Sequence, residues 1–334
     1  MPSSAAQLTV SMIIPTWDRR DLVLRLLDLL EAQTHPPYEV IVVDNGSTDG
    51  TAEAVGGRAT VIRLTENQGF ARAVNQGIRA AKGDWVGILN NDVEPRADWL
   101  YLLQQSCRDF VTGKLLNLSD PQLLDGTFDL LSQAAVPWRA GNGRVDQPIY
   151  NYKNRIQFAP GTAVLYRREV FERVGLLDEA FGSYYEDIDF GLRCAQAGIT
   201  GEYQPAAIAL HAGSATLGAW RPATVRLLTR NHRLLIQKHF GAQLDWPTKC
   251  RLVFSQALWA LLAARHGQLP AWWSGRREPL PVRRAALPDQ LHLRKVLLES
   301  ELELYRLQKE TGFDWYWRLY FSLFPPPRSG PACK

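Results

Sequence analysis

Acidic, amide and imidazole side chains recur in this 334-residue chain at places where a fold can bring them together. Asp44 opens the stretch Asp44-Asn-Gly-Ser-Thr-Asp-Gly50. A carboxylate there can accept hydrogen bonds from a nucleobase or a ribose, while Gly46 lets the backbone turn closely. Asn-Gly and Asp-Gly are equally common turn dipeptides, so Asp44 alone decides nothing. Asn90-Asn-Asp92 presents a carboxylate that, beside a diphosphate, suits Mg2+ or Mn2+; its other reading is an Asx turn leading to Pro95. Glu186-Asp-Ile-Asp189 opens a helical pattern after Tyr184-Tyr185. Carboxylates in a first helical turn are favoured by the helix dipole, and Ser183 with Glu186 fits a capping box. Asp189 and Arg193 stand four apart and can pair on the helix surface. Asp187 is the carboxylate these local explanations leave over. Helical spacing puts it on the side of Gly191 and Cys194, small residues that leave room for a ligand, and as a general base it could take a proton from a substrate hydroxyl. His211 ends the apolar run 206–210 before a Gly turn, as a metal ligand or as a packed residue.

Elements must position these groups. Residues 8–14, 39–43, 60–64 and 85–89 are short apolar runs rich in Val and Ile and bounded by turn residues, which is the pattern of buried parallel strands. Each ends in a polar cluster, and ligands of open α/β sheets bind at the carboxyl ends of the strands. Leu22, Leu26, Leu29 and Leu30 mark a helix after Asp18 or Asp21 as N-cap; Phe70, Val74 and Ile78 mark another, ended by Gly83; a third runs over 98–107. Alternating strands and helices give a parallel sheet with right-handed crossovers. Residues 110–157 are rich in Gly, Asn, Asp and Pro and predict only short, irregular strands. A strand over 158–166 and helices over 168–174, 186–197 and 222–240 follow, and the helical pattern continues to about residue 324.

Hydrophobic content of 46% and charged content of 22% are those of an ordinary globular protein. The net charge of +4 is unevenly spread: residues 221–295 hold fourteen Lys or Arg against three Asp or Glu, and seven of the eleven Trp lie from Trp220 onward. Cys107, Cys194, Cys250 and Cys333 form no CxxC pair, which argues against a zinc ribbon or disulfide framework and fits a reducing cytosol. Residues 1–7 lack the pattern of a signal peptide, and the longest apolar stretch, 252–264, is shorter than the roughly 20 residues of a spanning helix. No GxGxxG follows the first strand, and GxxxxGK[ST], GxSxG, HExxH and nucleic-acid-binding motifs are absent.

Taken together and in order, the clusters resemble the family 2 glycosyltransferases, particularly their rhamnosyltransferase-like branch. The resemblance rests on Ile13-Ile-Pro-Thr-Trp-Asp-Arg19, Val42-Val-Asp-Asn-Gly-Ser-Thr-Asp49, Asn67-Gln-Gly-Phe-Ala-Arg-Ala-Val-Asn75 and Leu89-Asn-Asn-Asp92. It continues through Gly161-Thr-Ala-Val-Leu-Tyr-Arg-Arg168, Val174-Gly-Leu-Leu-Asp178, Tyr185-Glu-Asp-Ile-Asp189 and His211, covering residues 8 to about 240. It implies a GT-A fold: an α/β, Rossmann-like, mostly parallel sheet flanked by helices. Residues 8–109 would form the nucleotide-sugar-binding half and 110–220 the acceptor half of a domain over 1–240, with a helical, basic, Trp-rich region over 241–334. It also implies a dTDP-, UDP- or GDP-linked sugar donor, Mn2+ or Mg2+, and inversion at the anomeric carbon. Thr16, Asp44, Asn67, Gly69, Asn91 and Asp92 would bind the donor, with Asp92 and His211 holding the metal. Asp187, with Glu186 in the Glu-Asp motif, matches the catalytic base, and Gly161, Thr162 and Asp189 would lie on the acceptor side. Trp17 and Asp18 stand where Tyr and Asn are frequent, and Asn90 replaces the first acid of the family's DxD motif.

The expected function is therefore metal-dependent, inverting transfer of a sugar to a glycan or lipid-linked glycan in cell-surface polysaccharide assembly. The alternatives are a non-catalytic binding or scaffold subunit of the same fold, and a sugar transferase acting on a polyprenyl phosphate. Residues 252–264 with Trp259, Trp272-Trp273 beside Arg276-Arg277, and Phe313-Asp-Trp-Tyr-Trp317 combine aromatic and basic side chains as interfacial segments do. They predict a cytoplasmic protein peripheral to the inner membrane face; packing on the catalytic domain or a homodimer interface is the competing expectation. No nucleic-acid partner is expected.

Overall fold

The computed structural model describes residues 8–213, 220–240, 244–281 and 289–327, so the N-terminal segment 1–7 and Cys333 lie outside the described residues. The chain divides into two units, Met1–Asp129 with Gly141–Thr216, and Leu130–Ala140 with Leu217–Lys334.

The first unit is built on a ten-stranded sheet. Its parallel part comprises β1 (Val10–Thr16), β2 (Glu39–Asp44), β3 (Thr60–Arg63) and β4 (Trp85–Leu89), in the order β4-β1-β2-β3. All five residues of β4 and six of the seven in β1 are buried, as continuous apolar runs covered on both faces must be. β1 begins two residues later than the sequence predicts and includes Pro15 and Thr16. The β4 ladder ends at Ile13–Ile88, so Pro15, which lacks an N–H, interrupts no bonding on that side. Between these strands lie α1 (Arg20–Glu31), the short α2 (Thr51–Val55) and α3 (Phe70–Ala80). Val23, Leu26, Leu27 and Leu30 of α1 are buried, and α1 starts after Arg19 without a side-chain cap. Asp18, one of the two expected caps, instead accepts a hydrogen bond from the Thr48 N–H at 2.7 Å.

β5 (Val93–Pro95) and α4 (Trp99–Gln104) lead to β6 (Phe110–Asn117), where the sequence predicts only short, irregular strands. Seven of the eight β6 residues are buried. Its polar members are masked in the sequence pattern but partnered in the fold: Thr112 donates to the Ala163 carbonyl at 2.8 Å, and Lys114 Nζ reaches Asp146 at 2.7 Å. β7 (Leu124–Gly126) pairs with β6. β8 (Asp129–Leu131) and β9 (Pro137–Arg139) form a separate hairpin. β10 (Asn154–Ile156), β11 (Ala163–Arg167), α5 (Arg168–Val174), α6 (Glu186–Gln196) and β12 (Gly201–His211) complete the unit. The strand predicted over 158–166 starts only at Ala163. β11 lies antiparallel to both β4 and β6, and β12 runs parallel to β6. The carboxyl ends of β1, β2, β4, β6 and β12 and the amino end of β11 therefore share one edge of the sheet.

The second unit contains α7 (Pro222–His239), α8 (Trp246–Arg265), α9 (Leu269–Arg277), α10 (Gln290–Thr311) and α11 (Trp315–Leu323), with the hairpin strands beside them. Asp245 caps α8 by accepting from the Thr248 N–H at 2.9 Å. The fully buried Glu301 accepts from the Gln133 N–H at 2.8 Å, the Gln133 side chain at 2.6 Å and the Tyr320 hydroxyl at 2.8 Å, which holds the hairpin to α10 and α11. Cys107, Cys194 and Cys250 are free thiols. Among the described residues no helix is long and apolar enough to cross a membrane.

Candidate active site

At the shared sheet edge, the tips of β1 and β4 are tied directly: Asn91 Nδ2 donates to Thr16 Oγ1 at 2.8 Å. Asp44 at the tip of β2 is fully buried, and its Oδ1 accepts from the Ser47 N–H at 2.9 Å. Its Oδ2 accepts no hydrogen bond among the described residues, although Arg63 Nε stands 3.8 Å away. A buried carboxylate oxygen left open at a strand tip is ready for an N–H or O–H donor from a ligand. Asn67 is exposed, and its Oδ1 joins two loops by accepting from Asn45 Nδ2 at 3.1 Å and from the Gly69 N–H at 3.0 Å.

Asp92 and His211 are brought together by the antiparallel β5–β12 ladder, in which His211 faces Val93. Both side chains are buried, and His211 Nε2 lies 3.3 Å from Asp92 Oδ1. On the other side of the ring, Nδ1 lies 2.9 Å from Oδ2 of Asp125 on β7. Burial works against a charge on His211, but its hydrogen bonds to Asp125 and Asp92 outweigh that and push the imidazole up to about 9. Asp125 has no counterpart in the sequence reading: it sits in the irregular stretch, and Asp125-Gly126 reads as a turn. Its position relative to His211 depends on pairing across 86 residues, which no local pattern reveals.

Among the described residues no three His, Cys, Asp or Glu side chains are grouped to hold a metal ion. Two do converge, Asp92 Oδ1 and His211 Nε2. One carboxylate and one imidazole suit Mn2+ or Mg2+ where diphosphate and water complete the coordination, so the donor set fits a diphosphate-bound divalent ion. The Asp125 carboxylate behind the imidazole is the partner that fixes which ring nitrogen faces outward.

The Glu-Asp motif reaches the same edge by an unusual turn. Gly182, Tyr184 and Tyr185 all have positive φ, at 70°, 70° and 71°. Two successive tyrosines in this region are strained, and such strain persists only where the surroundings enforce it. The first turn of α3 does so: the Ala71 N–H donates to the Gly182 carbonyl at 2.8 Å, and the Phe70 N–H to Ser183 Oγ at 3.2 Å. Gly69, with φ +87°, fits so closely that a Cβ would lie 3.0 Å from the Gly182 oxygen. Ser183 therefore receives from Phe70, and the expected capping box is not made; the N-cap of α6 is Tyr185, without a side-chain cap bond.

Asp187 is half-buried. Its Oδ2 accepts from the Gly161 N–H at 3.1 Å and its Oδ1 from the Ile188 N–H at 2.8 Å. The space expected beside Gly191 and Cys194 is filled, because a Cβ on Gly191 would lie 2.6 Å from the Phe158 ring and Cys194 is fully buried. Asp187 instead looks toward Gly161. Glu186 is buried with Oε2 unpartnered among the described residues, and burial together with the neighbouring Asp187 holds its carboxyl well above the usual range. Asp189 is fully buried rather than on the helix surface, bound to Arg193 Nε at 3.0 Å. Arg193 in turn donates to the Val174 and Leu176 carbonyls at 2.6 and 2.8 Å.

One series of contacts links the two groups of residues. Thr16 meets Asn91, the adjacent Asn90 N–H donates to the carbonyl of the buried Thr162 at 2.9 Å, and the Gly161 N–H donates to Asp187. Strand tips and helix α6 thus frame one place in the first unit.

Residues 11–175 match the family described as Glycosyl transferase family 2. The N-acetylglucosaminyl-diphospho-decaprenol L-rhamnosyltransferase of Mycobacterium tuberculosis is 29% identical over 271 residues, spanning 70% of this chain and 87% of that protein. A Bacillus subtilis relative is 34% identical over 127 residues, and the chain covers only half of its length. Among solved structures, GalNAc-T7 with UDP, GalNAc and Mn2+ superposes with a TM-score of 0.61 at 15% identity, over 97% of this chain and 59% of that one. The mannosyltransferase PcManGT from Pyrobaculum calidifontis, in complex with GDP-Man and Mn2+, gives 0.50 at 19% identity, over 95% and 87%. Residues 11–175 thus carry a glycosyltransferase family 2 match, and the chain has the GT-A fold.

Proposed function

We propose that this chain is an inverting glycosyltransferase that moves a sugar from a nucleoside-diphosphate sugar to a hydroxyl of a lipid-linked glycan. The observation that carries the reading is the linked series Thr16–Asn91, Asn90–Thr162 and Gly161–Asp187, which sets a candidate base beside a candidate diphosphate site. The open Asp44 Oδ2 would accept an N–H of the nucleobase. Thr16, Asn91 and the loop around Asn67 and Gly69 would shape the rest of the nucleoside pocket. Asp92 and His211 would hold Mn2+ or Mg2+, which when bound offsets the charge on the leaving diphosphate.

Asp187 would act on the acceptor. Its two N–H bonds fix the carboxylate, leaving lone-pair capacity on both oxygens for a substrate hydroxyl. As that oxygen forms its bond to C1 of the donor sugar, the C1–O bond to the diphosphate breaks and the hydroxyl proton passes to Asp187. A single displacement inverts C1, and no covalent enzyme intermediate arises. Glu186, whose buried carboxyl is shifted toward the protonated form, would favour a single negative charge at the base. Gly161 and Thr162 would border the acceptor, and Asp189 would act through Arg193 to hold α6 in place. A lipid-linked acceptor is supported by the mycobacterial relative, a rhamnosyltransferase named for N-acetylglucosaminyl-diphospho-decaprenol.

The test is an incubation with UDP-, dTDP- and GDP-sugars, Mn2+ and a short-chain polyprenyl-diphosphate glycan, reading nucleoside diphosphate release and the product's anomeric configuration by NMR. Acceptor-dependent release with an inverted linkage is expected. A retained configuration, or transfer only to a bare polyprenyl phosphate, would overturn the assignment.

A further inference from the structure

The outer faces of α8 and α11 are apolar where a water-facing helix is ordinarily polar. Besides Pro247 and Arg265, the exposed positions of α8 are Trp246, Lys249, Val253, Ala257, Leu261 and Ala264, spaced three and four apart along one side. Trp246 is 76% exposed, Val253 70% and Leu261 59%. On α11 the same spacing exposes Trp315, Leu319 and Leu323. The helices are neighbours, joined by the Phe254–Phe324 ring contact at 5.7 Å and by Arg251 over the Phe324 ring at 5.3 Å. Scattered surface leucines need no explanation; apolar stripes on two packed neighbours do.

Within α8, α9 and α11 the charge has one sign, and Asp314 before α11 accepts from Gln308 Nε2 at 2.7 Å. Residues 246–277, which span α8 and α9, contain Lys249, Arg251, Arg265, Arg276 and Arg277 and no Asp or Glu, and α11 adds Arg318 without an acid. Arg277 lies 4.5 Å over the ring of the exposed Trp273 on α9. The acids at the borders are engaged within the unit. Asp245 caps α8 and pairs with Arg294 at 3.0 Å, and Glu278 pairs with Arg226 and with Arg230 at 2.9 Å.

We infer that this face docks on an anionic lipid bilayer, with the apolar stripes entering the headgroup boundary and the basic side chains meeting lipid phosphates. An amphipathic surface with Trp and Leu beside Lys and Arg has the chemistry of interfacial helices. A second copy of the chain is the less suitable occupant, because a two-fold contact through this face would oppose two basic, acid-free surfaces. The inference goes beyond sugar transfer and needs neither donor nor metal to be tested.

The full-length protein is sedimented with vesicles of phosphatidylcholine alone and of phosphatidylcholine with 40 mol % phosphatidylglycerol, at low and high KCl, beside a Val253→Glu/Leu261→Glu variant. We expect binding to the anionic vesicles at least tenfold stronger than to neutral ones, weakened by KCl, and at least tenfold weaker in the variant. Unchanged thermal unfolding of the variant shows that the fold is kept; should it unfold early, Lys249→Gln/Arg265→Gln supplies the same comparison from the charged side. Equal binding to both vesicle types, absence of binding, or a variant that binds like the wild type overturns the inference. So does light scattering that shows a dimer which the variant abolishes.

Discussion

Gly69→Ala tests the contact that sets the Glu-Asp turn against the donor-side loop. Gly69 has φ +87° and ψ 165°, a region open almost only to glycine. A side chain there costs about 1–3 kcal/mol in backbone strain alone. The new methyl would lie 3.0–3.1 Å from the oxygen, carbonyl carbon and Cα of Gly182, all backbone atoms that no rotamer change can move aside. Gly198→Ala is the control, because Gly198 has φ +72° but nothing within 4 Å of its added Cβ. A left-handed alanine in open space should cost about 1–2 kcal/mol. Urea unfolding of the two variants should therefore place Gly69→Ala about 1–2 kcal/mol below Gly198→Ala. Turnover should separate them further: pushing Gly182 away shifts the start of α6, and misplacement of a reacting group by about 1 Å can cost about a hundredfold in rate. Equal destabilisation and equal activity in the two variants would refute the close approach of these loops.

Asp125→Asn should weaken Mn2+ binding by about 10–100-fold, measured by electron paramagnetic resonance of the free ion; unchanged affinity would show that Asp125 does not orient His211. Exhaustive chelation should stop transfer and added Mn2+ should restore it, whereas full activity of the chelated protein would remove the metal role of Asp92 and His211. In the second unit, burial, with the nearby Arg276 charge, pulls His232 down to about 4, against the Ala134 carbonyl, which lies 2.9 Å from Nε2 and favours the charged ring; Gln256 Nε2 lies 2.7 Å from Nδ1. The unfolded chain takes up this proton near pH 6.5 and the folded chain only near 4. The stabilisation is therefore complete above about pH 6.5 and falls by about 3 kcal/mol as pH drops to 4. Acid unfolding of His232→Gln should lack this limb, and an identical limb in the variant would contradict it.

β1, β2 and β4 were legible because their runs are mainly apolar, as burial demands, whereas the edge strand β3, half-buried at Val61 and Ile62, was marked by those two β-branched residues. β6 was hidden by Thr112, Gly113 and Lys114, whose burial is tolerable only because Ala163 and Asp146, far along the chain, supply partners. The pairing of Asp189 with Arg193 follows from helical spacing, whereas its burial follows from the loop 174–176, which spacing does not encode. Asp44, Asp92, Asp187 and His211 could be singled out because each ends or begins an element. The role of Asp125 depends on the β6–β7 and β6–β12 pairings, and the turn at Tyr184-Tyr185 on Gly69 and the first turn of α3. Both are tertiary facts without a local signal.

The most direct measurement compares Asp187→Asn with the wild type in donor binding and in turnover. The change keeps the size of the side chain and an oxygen able to accept from the Gly161 N–H, but removes the proton acceptor. Calorimetric titration with the nucleotide sugar and Mn2+ should give dissociation constants within about threefold of each other, while turnover falls by about 10²–10⁴. Turnover within a few fold of the wild type would contradict the assignment of Asp187 as the base.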